Sequence, residues 1–203
     1  ALRLDALDYG HNSPKPRITL VDASDRFAFL PMLYELTTGS AAAWEVAPPF
    51  EDVLNTSGVN FVHAEALALN RVDKTLTLRP TAENAPTRVV PYDQCVLATG
   101  AAPSFAGVPG AAEHAQPYYT VDDALALRAT LLQRQRAAAA GAPPLRLVIV
   151  GGSYVGVELA ANLASWLPPS QLRVSLVHRA GAVLGSSADF ARMVAKRRLE
   201  DKG

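Results

Sequence analysis

The run LRLVIVGGSYVGVELAANLASWL, residues 145 to 167, narrows the fold more than any other part of the chain. Its first six residues are mostly apolar and β-branched and read as a strand buried on both faces, the next six are glycine-rich, and the remainder carries helix formers. A membrane span of this length is conceivable, but Gly151, Gly152, Gly156, Glu158 and Asn162 interrupt it. A charge near the bilayer centre costs roughly 2.5–3.5 kcal/mol. A hydrolase nucleophile elbow, G-x-S-x-G, fails by one residue, because Ser153 follows Gly151 correctly but has Val155 where the last glycine belongs. Strand, GGSYVG, helix does fit the phosphate turn of a dinucleotide-binding unit, with Gly151 first, Ser153 in the place of the middle glycine and Gly156 last.

Each residue type has a physical reason. Gly151 permits the sharp strand-to-helix turn, Gly156 lets the helix lie close to the sheet, and the free amides at the helix start present the positive end of the dipole to a pyrophosphate. Gly152 gives the backbone room to adjust beside Ser153, whose hydroxymethyl narrows the phosphate approach. The next strand, RVSLVHRA (173 to 180), puts His178 where an acid would hold an adenosine 2′-hydroxyl, with Arg179 beside it. A carboxylate there repels a 2′-phosphate, whereas His178 and Arg179 attract one, which favours NADPH over NADH. The blander alternatives are a tight turn ahead of a packed helix and two solvated loop residues.

An internal echo strengthens the nucleotide reading. RITLVDAS (17 to 24) matches RVSLVHRA in character, with Asp22 where the second copy has His178. Spacing then puts a first glycine-rich turn before residue 1, so the chain is expected to start inside a helix, ALRLDALDY, and to be an internal fragment. Asp22 becomes the candidate partner of a second adenosine ribose; its alternative is an ordinary turn-forming aspartate.

The rest reads as α/β, with two Rossmann-like units and an inserted β meander. A helical piece covers MLYELTTG, and a helix follows the prolines of APPFEDVLNTSG. The meander comprises VNFVHAEALAL, KTLTLRP and TRVVPYDQCVLATG, ending in a buried strand at Cys95–Ala98. Thr120 reads as an N-cap with Asp123 in the supporting acidic position, Ala137–Pro144 as a hinge, and the final helix as capped by Ser186 or Ser187 and stopped at Gly203. The domains are placed at 1–107 and 108–203.

Composition excludes several classes. With 19 basic and 19 acidic residues in 203, nothing points to nucleic acid, and no targeting segment is visible. Cys95 stands alone, so no internal disulfide forms, and His11, His63, His114 and His178 show no metal-ligand spacing.

The order of these pieces resembles the two-dinucleotide flavoprotein reductases: a Rossmann unit with an acid after its second strand, a meander, VLATGAAPS, then a second Rossmann unit. FLPMLYELTTG, WEVAPPFEDVLNTSGVNFV, VPGAAEHAQPYYTVDDALALR and VELAANLA are similar to type II NAD(P)H:quinone dehydrogenases, most of all to their plastid C-type branch, the demethylphylloquinone reductases. The resemblance spans nearly the whole chain. It implies an FAD-binding domain at 1–107, in which Asp22 meets the FAD ribose, the backbone of Ala66 the adenine edge, and Ala98, Thr99 and Gly100 line the flavin cleft, with Pro31 and Met32 near the flavin ring. It implies an NAD(P)-binding domain at 108–203, in which Gly151, Gly152, Ser153 and Gly156 hold the nicotinamide nucleotide's pyrophosphate and His178 and Arg179 lie near its ribose. Glu158 would sit near nicotinamide and flavin; its competing reading is a first-turn acid favoured by the helix dipole. Pro31 and Met32 have core packing as their alternative.

The implied activity is hydride transfer from NAD(P)H to FAD, then two electrons to a membrane quinone, with the fragment alone inactive. No redox cysteine pair follows the strand before Asp22, which sets the chain apart from disulfide reductases on this scaffold. Peripheral membrane association through a further C-terminal segment, a homodimer, and a chloroplast location at thylakoid or plastoglobule also follow from the resemblance alone. Reduction of a protein electron carrier and a non-catalytic nucleotide-binding module stay open beside it.

Overall fold

A computed structural model describes residues 1–10, 14–185 and 187–202. His11, Ser186 and Gly203 lie outside the described residues. In chain order the elements are α1 (Leu2–Asp5), β1 (Thr19–Asp22), a 3-10 turn (Leu30–Met32), α2 (Leu33–Thr38), α3 (Ala43–Val46), α4 (Phe50–Leu54), β2 (Asn60–Asn70), β3 (Thr75–Pro80), β4 (Arg88–Pro91), α5 (Ala111–His114), α6 (Val121–Ala139), β5 (Leu145–Val150), α7 (Tyr154–Trp166), β6 (Leu172–Val177) and α8 (Asp189–Glu200). They divide between two compact units, Ala1–Ala28 with Ala47–Ala102, and Phe29–Val46 with Pro103–Gly203.

The first unit is built on a four-stranded sheet in the order β1-β2-β3-β4. β1 and β2 pair in parallel from Thr19↔Asn60 to Asp22↔His63, and β2, β3 and β4 form an antiparallel meander. The β2–β3 register slips between Ala66 and Ala68, a bulge at Leu67 that locally bends the strand. Phe50, Leu54 and Val59 form its core with Ile18, Leu20 and Phe61, and the Phe50 and Phe61 rings stack at 4.8 Å.

The strand expected at Cys95–Ala98 does not form. These residues are exposed and irregular, with Val96 at 80%. An apolar run becomes a strand only when a partner edge accepts its backbone groups, and no described segment pairs with this one.

The second unit holds the β5–α7–β6 crossover, with β5 and β6 parallel from Leu145↔Leu172 to Val150↔Val177. Helices cover one face of this pair. Leu159 and Leu163 of α7 pack with Leu127 and Leu131 of α6 against Leu145, Leu147, Ile149 and Val174. On the other face Val148, Val150 and Val177 are more than half exposed, which corrects the expectation that β5 is buried on both sides. Helices lie on only one side of the pair in this unit, so residues alternate between the two faces as strand geometry requires.

α2 joins this unit through Leu33 and Leu36, which pack on Ala124 of α6. Thr37 is fully buried and shares a 2.8 Å hydrogen bond with the Tyr118 hydroxyl, whose burial pushes its pKa up to about 12. Arg128 of α6 donates to the carbonyls of Leu36 and Thr37, satisfying the C-terminal end of α2.

Helix ends follow local chemistry unevenly. Thr120 caps α6 in a reciprocal box with Asp123, as read from the sequence. Burial works to raise the Asp123 carboxyl, but the Thr120 and Tyr119 amides and the Thr120 hydroxyl hold it below its usual range. The hinge expected from residue 137 begins later, because the alanines there are good helix formers and continue α6 to Ala139. α8 begins after Ala188, and Ser187 does not cap it; the Ser187 hydroxyl bonds that of Tyr154 at 2.7 Å.

Candidate functional site

The glycine-rich turn links β5 to α7. Gly151 has φ 124, a region that side chains other than hydrogen rarely allow, and its amide donates to the Val177 carbonyl at 2.8 Å. A β carbon on Gly156 would lie 1.8 Å from the Gly151 carbonyl oxygen, so α7 can start this close to the strand end only with glycine there. Ser153 is the N-cap of α7 but makes no side-chain cap. The first intrahelical donor is Val157, to the Ser153 carbonyl at 3.0 Å. The amides of Ser153, Tyr154, Val155 and Gly156 therefore precede the helical ladder, and Ser153, Tyr154 and Val155 are exposed. This is the donor set and dipole end that a pyrophosphate takes.

Gly151 and Gly152 contribute differently. Their amides are already engaged, Gly152 donating to Nδ1 of His178 at 3.1 Å, and their part is to shape the turn. His178 directly follows β6 and is half-buried, while Arg179 is exposed.

Glu158 is the fifth residue of α7, and the first turn carries no acid, so the first-turn reading is corrected. Its half-buried carboxyl is raised above the ordinary value by desolvation. Tyr34 of α2, a residue the sequence did not single out, feels this carboxylate: burial first, then Glu35 and Glu158, raise its hydroxyl. Pro31 and Met32 lie in the 3-10 turn ahead of α2, Pro31 exposed and Met32 packed beside Leu33 and Leu36.

In the first unit Asp22 ends β1 and accepts from the Ser24 amide at 2.8 Å. The His63 ring bonds the Ala23 carbonyl at 3.0 Å, holding the same loop from β2. Ala66 is exposed beside the bulge. Ala98, Thr99 and Gly100 lie in the irregular segment, all exposed. Among the described residues no group of three or more His, Cys, Asp or Glu side chains could hold a metal, and no helix is long and apolar enough to cross a membrane.

Residues 5–203 match the model of the pyridine nucleotide-disulphide oxidoreductases. The chain belongs to that family. Its sole cysteine, Cys95, is exposed, so these residues carry no redox disulfide. The chain is 37% identical over its whole length to demethylphylloquinone reductase NdbB of Synechocystis sp. and 33% identical to the alternative NAD(P)H-ubiquinone oxidoreductase C1, chloroplastic/mitochondrial, of Arabidopsis thaliana. It spans 48% and 40% of those two proteins. Among solved structures, NDH2 from Plasmodium falciparum in complex with NADH shares the fold, with TM-score 0.80 and 20% identity over 93% of this chain and 42% of that one. The similarity to type II NAD(P)H:quinone oxidoreductases read from the sequence is thus shared by its curated relatives, and the α/β fold by the solved neighbour.

Proposed function

We propose that this chain is the nucleotide-holding part of an FAD-dependent NAD(P)H:quinone oxidoreductase, with residues 1–107 serving FAD and residues 108–203 serving NAD(P)H. The observation that carries the reading is the contact of Gly156 with the Gly151 carbonyl, which brings the uncapped start of α7 to the end of β5. A nicotinamide dinucleotide fits the chemistry of this turn: exposed unladdered amides for the pyrophosphate and Arg179 two residues past the end of β6 for a 2′-phosphate. In the first unit the second oxygen of Asp22 is left for ribose hydroxyls, and the Ala66 backbone, next to the bulge at Leu67, would meet the adenine edge.

When bound, the two cofactors supply the redox chemistry, a hydride passing from NAD(P)H to the flavin and two electrons from the flavin to a quinone. The chain's residues bind and orient. Ser153, Tyr154 and Val155 offer amides, Glu158 supplies a half-desolvated carboxyl beside the nicotinamide end, and Pro31 and Met32 wall the flavin ring. Ala98, Thr99 and Gly100 line the flavin cleft. Plastid location, with the thylakoid or plastoglobule surface as the site of quinone access, peripheral membrane association and a homodimer belong to the same proposal. Sequence similarity to NdbB and C1 supports it.

The test is anaerobic titration of the full-length protein with NADPH, then NADH, followed by absorbance, with quinone added to the reduced sample. Bleaching of a flavin band by NADPH and its return with quinone is expected. A protein without flavin, or a reduced band that returns only with a ferredoxin-type carrier, removes the reading. Equal bleaching by NADH removes the NADPH preference.

A further inference from the structure

Gly152 is buried in the glycine-rich turn. Its amide donates to His178 Nδ1 at 3.1 Å, and its carbonyl accepts from the Leu184 amide at 2.8 Å. A β carbon at 152 would lie 2.8 Å from His178 Cγ and 3.0 Å from Val183 Cγ1. Glycine at 152 and a ring at 178 are therefore a matched pair, and the segment after β6 closes on the turn from both sides. A ring nitrogen that accepts from an N–H carries no proton, which puts the proton of His178 on Nε2.

We propose that His178 is a positioning residue for the nicotinamide nucleotide: its Nδ1 clasps Gly152 and holds the turn from which α7 presents its amides. Nε2–H then faces the ribose as a donor, and Arg179 supplies the positive charge that a 2′-phosphate requires. This divides between the two side chains the attraction that the sequence assigns to both. It rests on the reading of GGSYVG as a nicotinamide-nucleotide turn.

The experiment uses the full-length protein and its His178→Ala, His178→Asn and Arg179→Ala variants. Nitrogen NMR reads the ring tautomer, hydrogen exchange reads the Gly152 amide, and calorimetry reads binding of ADP-ribose and 2′-phospho-ADP-ribose. The wild-type ring is expected to be unprotonated at Nδ1. His178→Ala is expected to speed Gly152 exchange and to weaken both ligands to a similar degree, about fivefold to tenfold, the worth of one hydrogen bond. His178→Asn, whose amide oxygen replaces Nδ1, restores both, a rescue that loss of ring packing alone would not give. Arg179→Ala weakens the 2′-phosphorylated ligand alone. A proton on Nδ1, Gly152 exchange indifferent to His178→Ala, or loss confined to the 2′-phosphorylated ligand in His178→Ala overturns the role of His178. Wild-type protein that binds neither ligand overturns the nucleotide reading itself, and with it the role built on that reading.

Discussion

At the end of β1, Asp22 turns its carboxylate onto the Ser24 amide two residues along; at the end of β6, His178 reaches 26 residues back to Gly152. The flanking sequences, RITLVDAS and RVSLVHRA, are close copies, and both strands pair in parallel with a neighbour. A carboxylate has two acceptor oxygens and can satisfy a local amide with one while keeping the other for a ligand. An imidazole whose acceptor nitrogen is spent has only a donor left. Matching strand ends therefore present opposite hydrogen-bonding character, and the difference arises from one side chain.

The largest effect is expected where the second turn has no spare room. Gly156→Ala places a methyl against the Gly151 carbonyl and should destabilise the full-length protein by about 2–3 kcal/mol in chemical denaturation; a wild-type midpoint would mean the turn is looser than described. Next comes the swap that makes the second end resemble the first. His178→Asp should move the ratio of 2′-phospho-ADP-ribose to ADP-ribose affinity by about tenfold toward the unphosphorylated ligand, through repulsion between carboxylate and phosphate. An unchanged ratio would detach residue 178 from the ribose.

Asp22→Ala should cost about 0.5–1 kcal/mol, the net worth of the Ser24 hydrogen bond, together with flavin retention on gel filtration. Asp22→Asn keeps an oxygen for Ser24 and should restore stability while leaving flavin retention weakened, which separates the turn from the ligand.

The smallest effect concerns Glu158. Its carboxyl is raised above the ordinary 4.5, so the fold holds that proton longer than the unfolded chain does. Stability from this group is full below the ordinary value and is lost as pH rises through the raised one. Glu158→Gln has no such loss, and its stability relative to wild type should grow from about pH 4 to about pH 7 by less than about 1 kcal/mol. A flat difference would show that Glu158 is better solvated than its half-buried place on α7 indicates.

Features that depend on near neighbours in sequence were legible. The β5–turn–α7–β6 order, the end of β1 at Asp22 and the Thr120–Asp123 box all come from short-range sterics and hydrogen bonding. What failed depends on distant partners. Cys95–Ala98 has strand composition but no edge to join, and β5 has the composition of a doubly covered strand with helices on one side only. The clasp between His178 and Gly152 and the influence of Glu158 on Tyr34 need side-chain positions that spacing does not encode. The glycines of the turn were legible as a set, but which amides precede the helical ladder depends on where α7 begins.

Val148, Val150 and Val177 form an exposed aliphatic row on the uncovered face of β5 and β6, from which a solution property is expected. A flat aliphatic row in water is shed most readily by stacking on another such row, so turbidity should climb with concentration and with mild warming. Threonine at these three positions keeps the β-branched shape while wetting the surface, and is the simplest route to a sample that stays clear.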